Sequence, residues 1–362
     1  MELGLQLGYW GAQPPAGAPE LVAAAERSGF DAVFAAESWG SDAFTPLAWW
    51  GSSTARVRLG TSVAQLSART PAACAMHALT LDHLSGGRAV LGLGVSGPQV
   101  VEGWYGAPFA SPLGRTREYV SIVRQVLARE DRVRNDGRHY PLPYGGAGSA
   151  GLGKPLKPIT HPLRADLPIW LGAEGPRNVA LTGEIADGWL AVYFAPRVAP
   201  EYWDRLHEGM SRPGARRGVE DFEVAANAQV VITGDRQAEL ARLKPSVALY
   251  LGGMGAPEQN FHADLFARMG YGEVAADVKR LFLGGRREEA VRAVPDELVD
   301  EVSLVGTVEQ VRAKVAEWER AGVTMLLVGC RDAEQVRAVS AAVLGDGAAW
   351  SGLVGGSGGR GL

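Results

Sequence analysis

Cysteine, long apolar runs and blocks of like charge are scarce in this sequence, and each scarcity excludes a class of protein. Its 362 residues include two cysteines, too few for a disulfide framework and without the spacing of a metal site. No stretch of about 18 apolar residues occurs, so no membrane-spanning helix is expected. The 36 basic and 40 acidic side chains are interspersed, which favours neither nucleic acid nor a membrane surface as partner. We expect a small-molecule partner.

Several motifs of metal and nucleophile chemistry are also missing. The six histidines form no His-x-x-x-His pair and have no carboxylate at metal-ligand spacing, so no metal centre is expected. There is no Gly-x-Ser-x-Gly elbow and no Gly-Lys-Ser/Thr phosphate loop, which argues against a serine hydrolase and a P-loop nucleotidase. The first residues carry neither a basic segment nor a cleavage site, which predicts a cytoplasmic protein.

Short apolar runs recur along the chain at intervals of roughly 30 residues, and helical patterns lie between them. The runs begin near Glu2, Ala32, Leu59 and Ala89 and continue at residues 169–172, 188–192, 222–232 and 325–328. Eight strands that alternate with helices predict a closed (β/α)8 TIM barrel. An open, doubly wound sheet is the alternative.

The whole of residues 1–344 is predicted to form one barrel domain with insertions at two βα connections. The first insertion, residues 136–168, is rich in glycine and proline, whereas the second, residues 236–294, is mostly helical in pattern. Both are expected to wall a substrate pocket, whose apolar lining favours a bulky, neutral substrate. Residues 345–362 are rich in glycine and have little to bury, which predicts a disordered tail.

The carboxyl ends of the strands form the active site in a barrel of this kind, so the residues there are the candidates. Residues 59–71 are an apolar strand broken by small residues and followed by a capped helix start, and residues 88–97 repeat the small-residue ending. A flat ligand fits between two such strand ends. Glu37 closes the second strand, where a carboxylate is costly unless it faces a polar cavity or a partner. It is the candidate catalytic residue.

Two glycine-rich turns are candidate ligand contacts. Gly92, Gly94 and Gly97 match G-x-G-x-x-G in letters, but no acidic residue stands at the ribose-binding position, so close approach of the backbone to a ligand is the broader interpretation. Residues 172–176 lead into a helix with Pro176 in its first turn. An anion site and an ordinary βα turn fit that second pattern equally well.

At this point the chain resembles the luciferase-like flavin and deazaflavin oxidoreductases, in particular the branch that uses coenzyme F420. The resemblance rests on residues 78–88 and 91–106, with further matches at 168–176, 186–189 and 306–311. It implies a (β/α)8 barrel, commonly a homodimer. It also implies that the cofactor ring lies against the third strand, at a cis peptide bond between Ser62 and Val63.

The resemblance further implies a set of cofactor contacts, with Glu37 near the edge of the ring as a proton relay or hydrogen-bond partner. The contacts are Ser62, Val63, Ala64, Ser96, Gly97, Gly172, Ala173, Glu174, Gly175, Pro176 and Asn178. One position departs from the family's sugar-phosphate dehydrogenases, which carry a histidine base after the acid. This chain has Ser38 there, which argues against a sugar phosphate as substrate.

Three functions follow from these patterns. The leading hypothesis is a coenzyme F420-dependent oxidoreductase that moves hydride between deazaflavin C5 and an organic substrate. An FMN-dependent monooxygenase of the same superfamily and a non-catalytic cofactor-binding barrel are the alternatives.

Overall fold

The computed structural model describes residues 1–255 and 260–345, so nearly all of the predicted tail lies outside the described residues. Parallel strands form one sheet. They are β1 Glu2–Gln6, β2 Ala32–Ala35, β3 Arg58–Thr61, β4 Ala64–Gln65, β5 Ala89–Gly94, β6 Ile169–Gly172, β7 Gly188–Ala191, β8 Glu223–Ile232, β9 Ser303–Gly306 and β10 Met325–Val328.

Eight of these strands close into a barrel in the order β1, β2, β3, β5, β6, β7, β8, β10, because β10 pairs with both β8 and β1. The short β4 continues the line of β3 and pairs with β5, and β9 pairs with the end of β8. The predicted TIM barrel is therefore confirmed, and the open sheet is excluded. Strand β9 was not predicted.

Helices fill the connections between strands. Those around the barrel are α1 Ala18–Arg27, α2 Phe44–Gly51, α3 Pro71–Ser85, α4 Pro98–Gly103, α5 Pro112–Ala128, α6 Pro176–Ile185, α7 Ala199–Met210, α13 Val308–Arg320 and α14 Ala333–Leu344. Helix α3 begins as predicted, since Thr70 accepts a hydrogen bond from the Ala73 amide at 3.3 Å. Within residues 1–255 and 260–345, no helix combines the length and hydrophobicity needed to cross a bilayer.

The barrel interior is so tightly packed that two glycines have no room for a Cβ atom. Phe34 stacks on Trp170 with ring centroids 5.6 Å apart, and both are almost fully buried. A Cβ atom at Gly60 would collide with Phe34, and one at Gly92 would collide with the Thr61 carbonyl oxygen. Gly92, the first glycine of the G-x-G-x-x-G match, is thus explained by strand packing rather than by a dinucleotide.

The first long insertion lies at a different connection from the one predicted. Residues 129–168, here called the outer segment, follow helix α5 and precede β6, so they form an αβ connection. Arg164 forms an ion pair with Asp82 near the end of α3, and Arg129 Nε donates to the Pro158 carbonyl oxygen at 2.9 Å. Asp82 also accepts from the Ala89 amide at the start of β5. The outer segment therefore lies toward the amino-terminal end of the barrel.

The second insertion follows strand β8 and is helical. Residues 236–301, here called the helical segment, contain α8 Arg236–Gly252, α9 Phe261–Phe266, α10 Gly272–Leu283, α11 Arg287–Arg292 and α12 Asp296–Glu301. Their apolar faces form a second hydrophobic core that includes Val247, Leu251, Phe266, Val278 and Leu298, all buried. This core allows the segment to pack as a unit over the carboxyl ends of the strands.

Candidate active site

A cavity of about 1060 Å³ lies at the carboxyl ends of the barrel strands. Eleven of the twelve predicted site residues line it. They are Glu37, Ser62, Val63, Ser96, Gly97, Gly172, Ala173, Glu174, Gly175, Pro176 and Asn178. The twelfth, Ala64, is fully buried beside them in β4 and is not part of the lining. The barrel thus gathers residues that are far apart in the sequence around one space.

The two insertions differ in what they contribute to the cavity. Tyr250, Met254, Phe261 and His262 of the helical segment line it. Residues 129–168, all of them described, contribute nothing to the lining. The prediction that residues 136–168 wall the pocket is therefore wrong, because an insertion after a helix emerges at the opposite end of the barrel.

The cavity wall between β3 and β4 is a hinge at residues 62–65. The peptide bond between Ser62 and Val63 is cis. A Cβ atom at Gly94 would lie 2.6 Å from a Val63 methyl group, and one at Gly172 would lie 3.1 Å from the other. The small residues that end β5 and β6 therefore admit the side chain of Val63, which in turn faces the cavity.

Glu37 forms hydrogen bonds with this hinge through both its carboxylate and its backbone. The carboxylate accepts from the Gln65 amide at 2.8 Å and is held by both terminal nitrogens of Arg69. The Glu37 amide donates to the Val63 carbonyl oxygen at 3.2 Å, and Gln65 Nε2 donates to the Glu37 carbonyl oxygen at 3.0 Å. Burial lowers the pKa of Arg69, but hydrogen bonding and the charge of Glu37 outweigh that effect and raise it. The sequence analysis did not identify Arg69 as the partner.

Polar side chains form the floor of the cavity. Gln6 Nε2 donates to Ser62 Oγ at 3.1 Å and to Asn227 Oδ1 at 3.4 Å, and Gln6 Oε1 accepts from the Gly8 amide at 3.3 Å. The sequence analysis missed Gln6 and Asn227. A usable signal was present, since Gln6 ends β1 directly after Leu5 and Asn227 lies between two alanines in β8.

A second titratable pair lies where the barrel meets the helical segment. His262 Nδ1 lies 2.9 Å from Glu174 Oε1. Tyr250 and Tyr193 pack edge-on against the imidazole, with ring centroids 4.8 and 6.5 Å away. Burial raises the pKa of both tyrosines above the ordinary value, so both phenols stay protonated at neutral pH.

Two helix beginnings face the cavity mouth. Gly97 precedes α4 and Gly175 precedes α6, and each helix has a proline at its start. Arg177, in the first turn of α6, also lines the cavity. Amide groups at a helix N-terminus together with an arginine suit an anionic group of a ligand.

Known proteins with similar sequences match most of the length of this chain. Residues 4–325 match the family model described as luciferase-like monooxygenase. The chain is 66% identical over 343 residues to a Mycobacterium tuberculosis protein named as a candidate coenzyme F420-dependent oxidoreductase, covering 95% of this chain and 99% of that relative. It is 29% identical over 276 residues to the 5,10-methylenetetrahydromethanopterin reductase of Archaeoglobus fulgidus, covering 76% of this chain and 77% of the relative.

A solved structure shares the fold. The coenzyme F420-dependent tetrahydromethanopterin reductase of Methanopyrus kandleri superposes with a TM-score of 0.77 at 21% identity, over 95% of this chain and 98% of that one. The family match spans most of the barrel, and the 66% identity extends over nearly the full chain. The protein therefore belongs to the luciferase-like monooxygenase family and is an oxidoreductase built on a (β/α)8 barrel.

Proposed function

We propose that the protein is a coenzyme F420-dependent oxidoreductase that transfers hydride between the deazaflavin and a bulky organic substrate. The observation that carries this proposal is the cavity of about 1060 Å³ at the barrel mouth, around which the predicted cofactor contacts lie. The 66% identity to the mycobacterial relative named for coenzyme F420 supports the choice of cofactor.

The residues of the cavity fit a flat heterocycle with an anionic tail. Gln65 Oε1 is a buried acceptor without a partner among the described residues, and a ring N–H group would satisfy it. Val63 offers an apolar contact for a ring face. The helix beginning at Gly175, with Arg177 in the first turn of the same helix, suits a phosphate.

The chain's own contribution to catalysis is orientation and exclusion of water. When bound, the deazaflavin supplies or accepts the hydride. Glu37 acts as a positioning residue, because its carboxylate and backbone hold Val63 and Gln65 in place. The helical segment covers the cavity with apolar side chains such as Val247 and Met254, which suit a bulky, neutral substrate. The homodimer and the cytoplasmic location stay predictions.

Titration of the purified protein with coenzyme F420 and with FMN tests the proposal. We expect coenzyme F420 to bind with a Kd in the micromolar range or below, followed by its absorbance and fluorescence. Binding of FMN alone would instead favour the monooxygenase alternative and overturn the proposal. Binding of coenzyme F420 without hydride exchange against a broad panel of organic acceptors would favour a non-catalytic barrel.

A matched pair of glycine variants locates the cofactor site. Gly94→Ala is expected to weaken coenzyme binding about tenfold, roughly 1.4 kcal/mol, because the new methyl group displaces Val63. Gly103→Ala is the control, since no heavy atom lies within 4 Å of the added Cβ. Equal affinity in the two variants would show that the hinge does not form the cofactor wall.

A further inference from the structure

A second, smaller cavity opens on the surface beside the one at the strand ends. Its volume of about 380 Å³ lies within the range of about 300–1,000 Å³ that is typical of ligand pockets. Side chains of α5, α6 and α7 line it, and four of the lining residues are arginines. We call it the arginine groove, after Arg117, Arg177, Arg205 and Arg212.

Close packing of α6 on α7 brings these arginines together. A Cβ atom at Gly209 would lie 1.9 Å from the Ala180 carbonyl oxygen. One at Gly183 would lie 2.3 Å from the Leu206 carbonyl oxygen. The backbones of the two helices approach this closely because both positions are glycine. Side chains from both helices therefore line the same groove.

The groove carries an excess of positive charge. Glu184 accepts from Arg117 Nη2 at 2.6 Å and from Arg212 Nη1 at 2.7 Å. These hydrogen bonds, above all that from Arg117, lower the pKa of Glu184 to about 2. Glu208 accepts from Arg212 Nη2 at 2.9 Å and from Arg205 Nη1 at 3.2 Å. The two carboxylates hold the guanidinium groups in place but balance only two of the four arginines.

Arg177 connects the groove with the larger cavity. It is exposed, and within residues 1–255 and 260–345 it is the one groove arginine that forms no ion pair. Together with Leu113 and Pro176, it lines both spaces. The proposed phosphate site at the start of α6 lies at this junction. A ligand that continues beyond its phosphate can therefore pass from the cavity directly into the groove.

We propose that the arginine groove binds the oligoglutamate tail of coenzyme F420. This inference rests on the proposed function. Beyond its phosphate the coenzyme carries a lactyl group and a chain of γ-linked glutamates, whose carboxylates are ionised at neutral pH. Guanidinium groups bind carboxylates through paired hydrogen bonds, so several arginines in one groove suit such a chain. FMN ends at its phosphate, so the groove favours coenzyme F420 over FMN.

The first test compares two forms of the coenzyme on the full wild-type chain. One form carries the oligoglutamate tail, and the other ends at the lactyl group. Because exposed ion pairs are individually weak, the tail is expected to lower the Kd by about tenfold. Added NaCl is expected to reduce this difference, since salt screens exposed charges. Equal Kd values would overturn the tail site and leave the proposed function intact, because both forms carry the ring and the phosphate.

The second test reverses one charge of the groove. Arg205 lines the groove but not the larger cavity, and its side chain is 53% exposed. Arg205→Glu is expected to raise the Kd of the tailed coenzyme about tenfold and to leave that of the tailless form within about twofold. Arg292→Glu, the same change at an exposed position of α11, is the control and is expected to alter neither Kd. Equal weakening of both forms by Arg205→Glu would overturn the assignment, since a merely structural role predicts that result.

A third probe, an oligomer of γ-linked glutamate without deazaflavin, distinguishes a coenzyme tail from a separate acidic peptide. Linkage to the ring makes binding of the tail intramolecular, so the free oligomer is expected to bind at least about 10²-fold more weakly than the coenzyme. Binding as tight as that of the coenzyme would assign the groove to a separate peptide and overturn the proposal. Failure of both coenzyme forms to bind would overturn the proposed function itself.

Discussion

The outer segment and the helical segment both interrupt the alternation of strand and helix, yet they differ in structure and in place. The outer segment has little regular secondary structure and is attached by polar contacts such as the ion pair between Arg164 and Asp82. The helical segment has its own hydrophobic core around Phe266 and lines the cavity. Of these two segments, the helical segment is the one placed to contact a molecule in the cavity.

The difference shows that the element before an insertion decides its role. In a (β/α)8 barrel the connections after strands meet at the carboxyl end, and the connections after helices meet at the other end. The outer segment follows α5 and the helical segment follows β8. The composition of an insertion indicates whether it is helical, but it does not indicate which end of the barrel it covers.

The largest expected effect is that of Phe266→Ala in the helical segment. Phe266 is fully buried, and its ring centroid lies 4.8 Å from that of Tyr193, which lines the cavity. Its truncation is expected to lower the free energy of unfolding by about 3–5 kcal/mol and to reduce kcat/KM at least tenfold. Urea unfolding and steady-state kinetics measure both, with the half-exposed Leu283→Ala as control. An unchanged kcat/KM would show that the packing of the helical segment does not affect catalysis.

Asp82→Asn tests the outer segment in the same way. Asp82 is 1% exposed, pairs with Arg164 and accepts from the Ala89 amide at 3.1 Å. Because Asp82 is buried but Arg164 is one-third exposed, loss of the charge is expected to cost about 1–3 kcal/mol of unfolding free energy. The coenzyme Kd and kcat are expected to stay within twofold of wild type in folded protein. A large loss of coenzyme affinity would contradict the assignment of the outer segment to the far end of the barrel.

Glu37→Gln probes the hinge wall, which belongs to neither segment. Loss of the ion pair with Arg69 is expected to shift the hinge and reduce kcat about 10²-fold, since small misplacements of reacting groups are costly. Coenzyme binding is expected to persist. Glu20→Gln, an exposed carboxylate of α1, is the control. Wild-type turnover in Glu37→Gln would remove Glu37 from the catalytic machinery.

The smallest effect is expected at Ile159 of the outer segment, which is 95% exposed. Ile159→Ala is expected to change the free energy of unfolding by no more than about 0.5 kcal/mol. The matched change Leu251→Ala, at a fully buried site of the helical segment, is expected to cost about 2–5 kcal/mol. Thermal unfolding of the two variants measures the difference. Similar decreases in Tm for both would contradict the view that residue 159 lies in an outer layer and residue 251 in a core.

The barrel was predictable because its strands are the short apolar runs that recur along the chain, and all eight were located. Strand β9 was missed, since Ser303–Gly306 follows α12 after a single residue, with no glycine or proline between them to mark the end of the helix. The place of the outer segment was also open to prediction, because the helical pattern before it ends near residue 129. The error came from treating a long glycine-rich insertion as a pocket wall without regard to the element that precedes it.

The chain alone determined the eight strands of the barrel, the end of the barrel at which the candidate residues gather, and Glu37 and Gly175 as candidates at strand ends. Local periodicity and strand-end position suffice for these properties. Only the tertiary structure decided that Arg69 holds Glu37 and that His262 meets Glu174. Closure of the barrel and packing of the helical segment set such pairings. They bring together residues that are far apart in the sequence, and separation along the chain does not indicate distance in space.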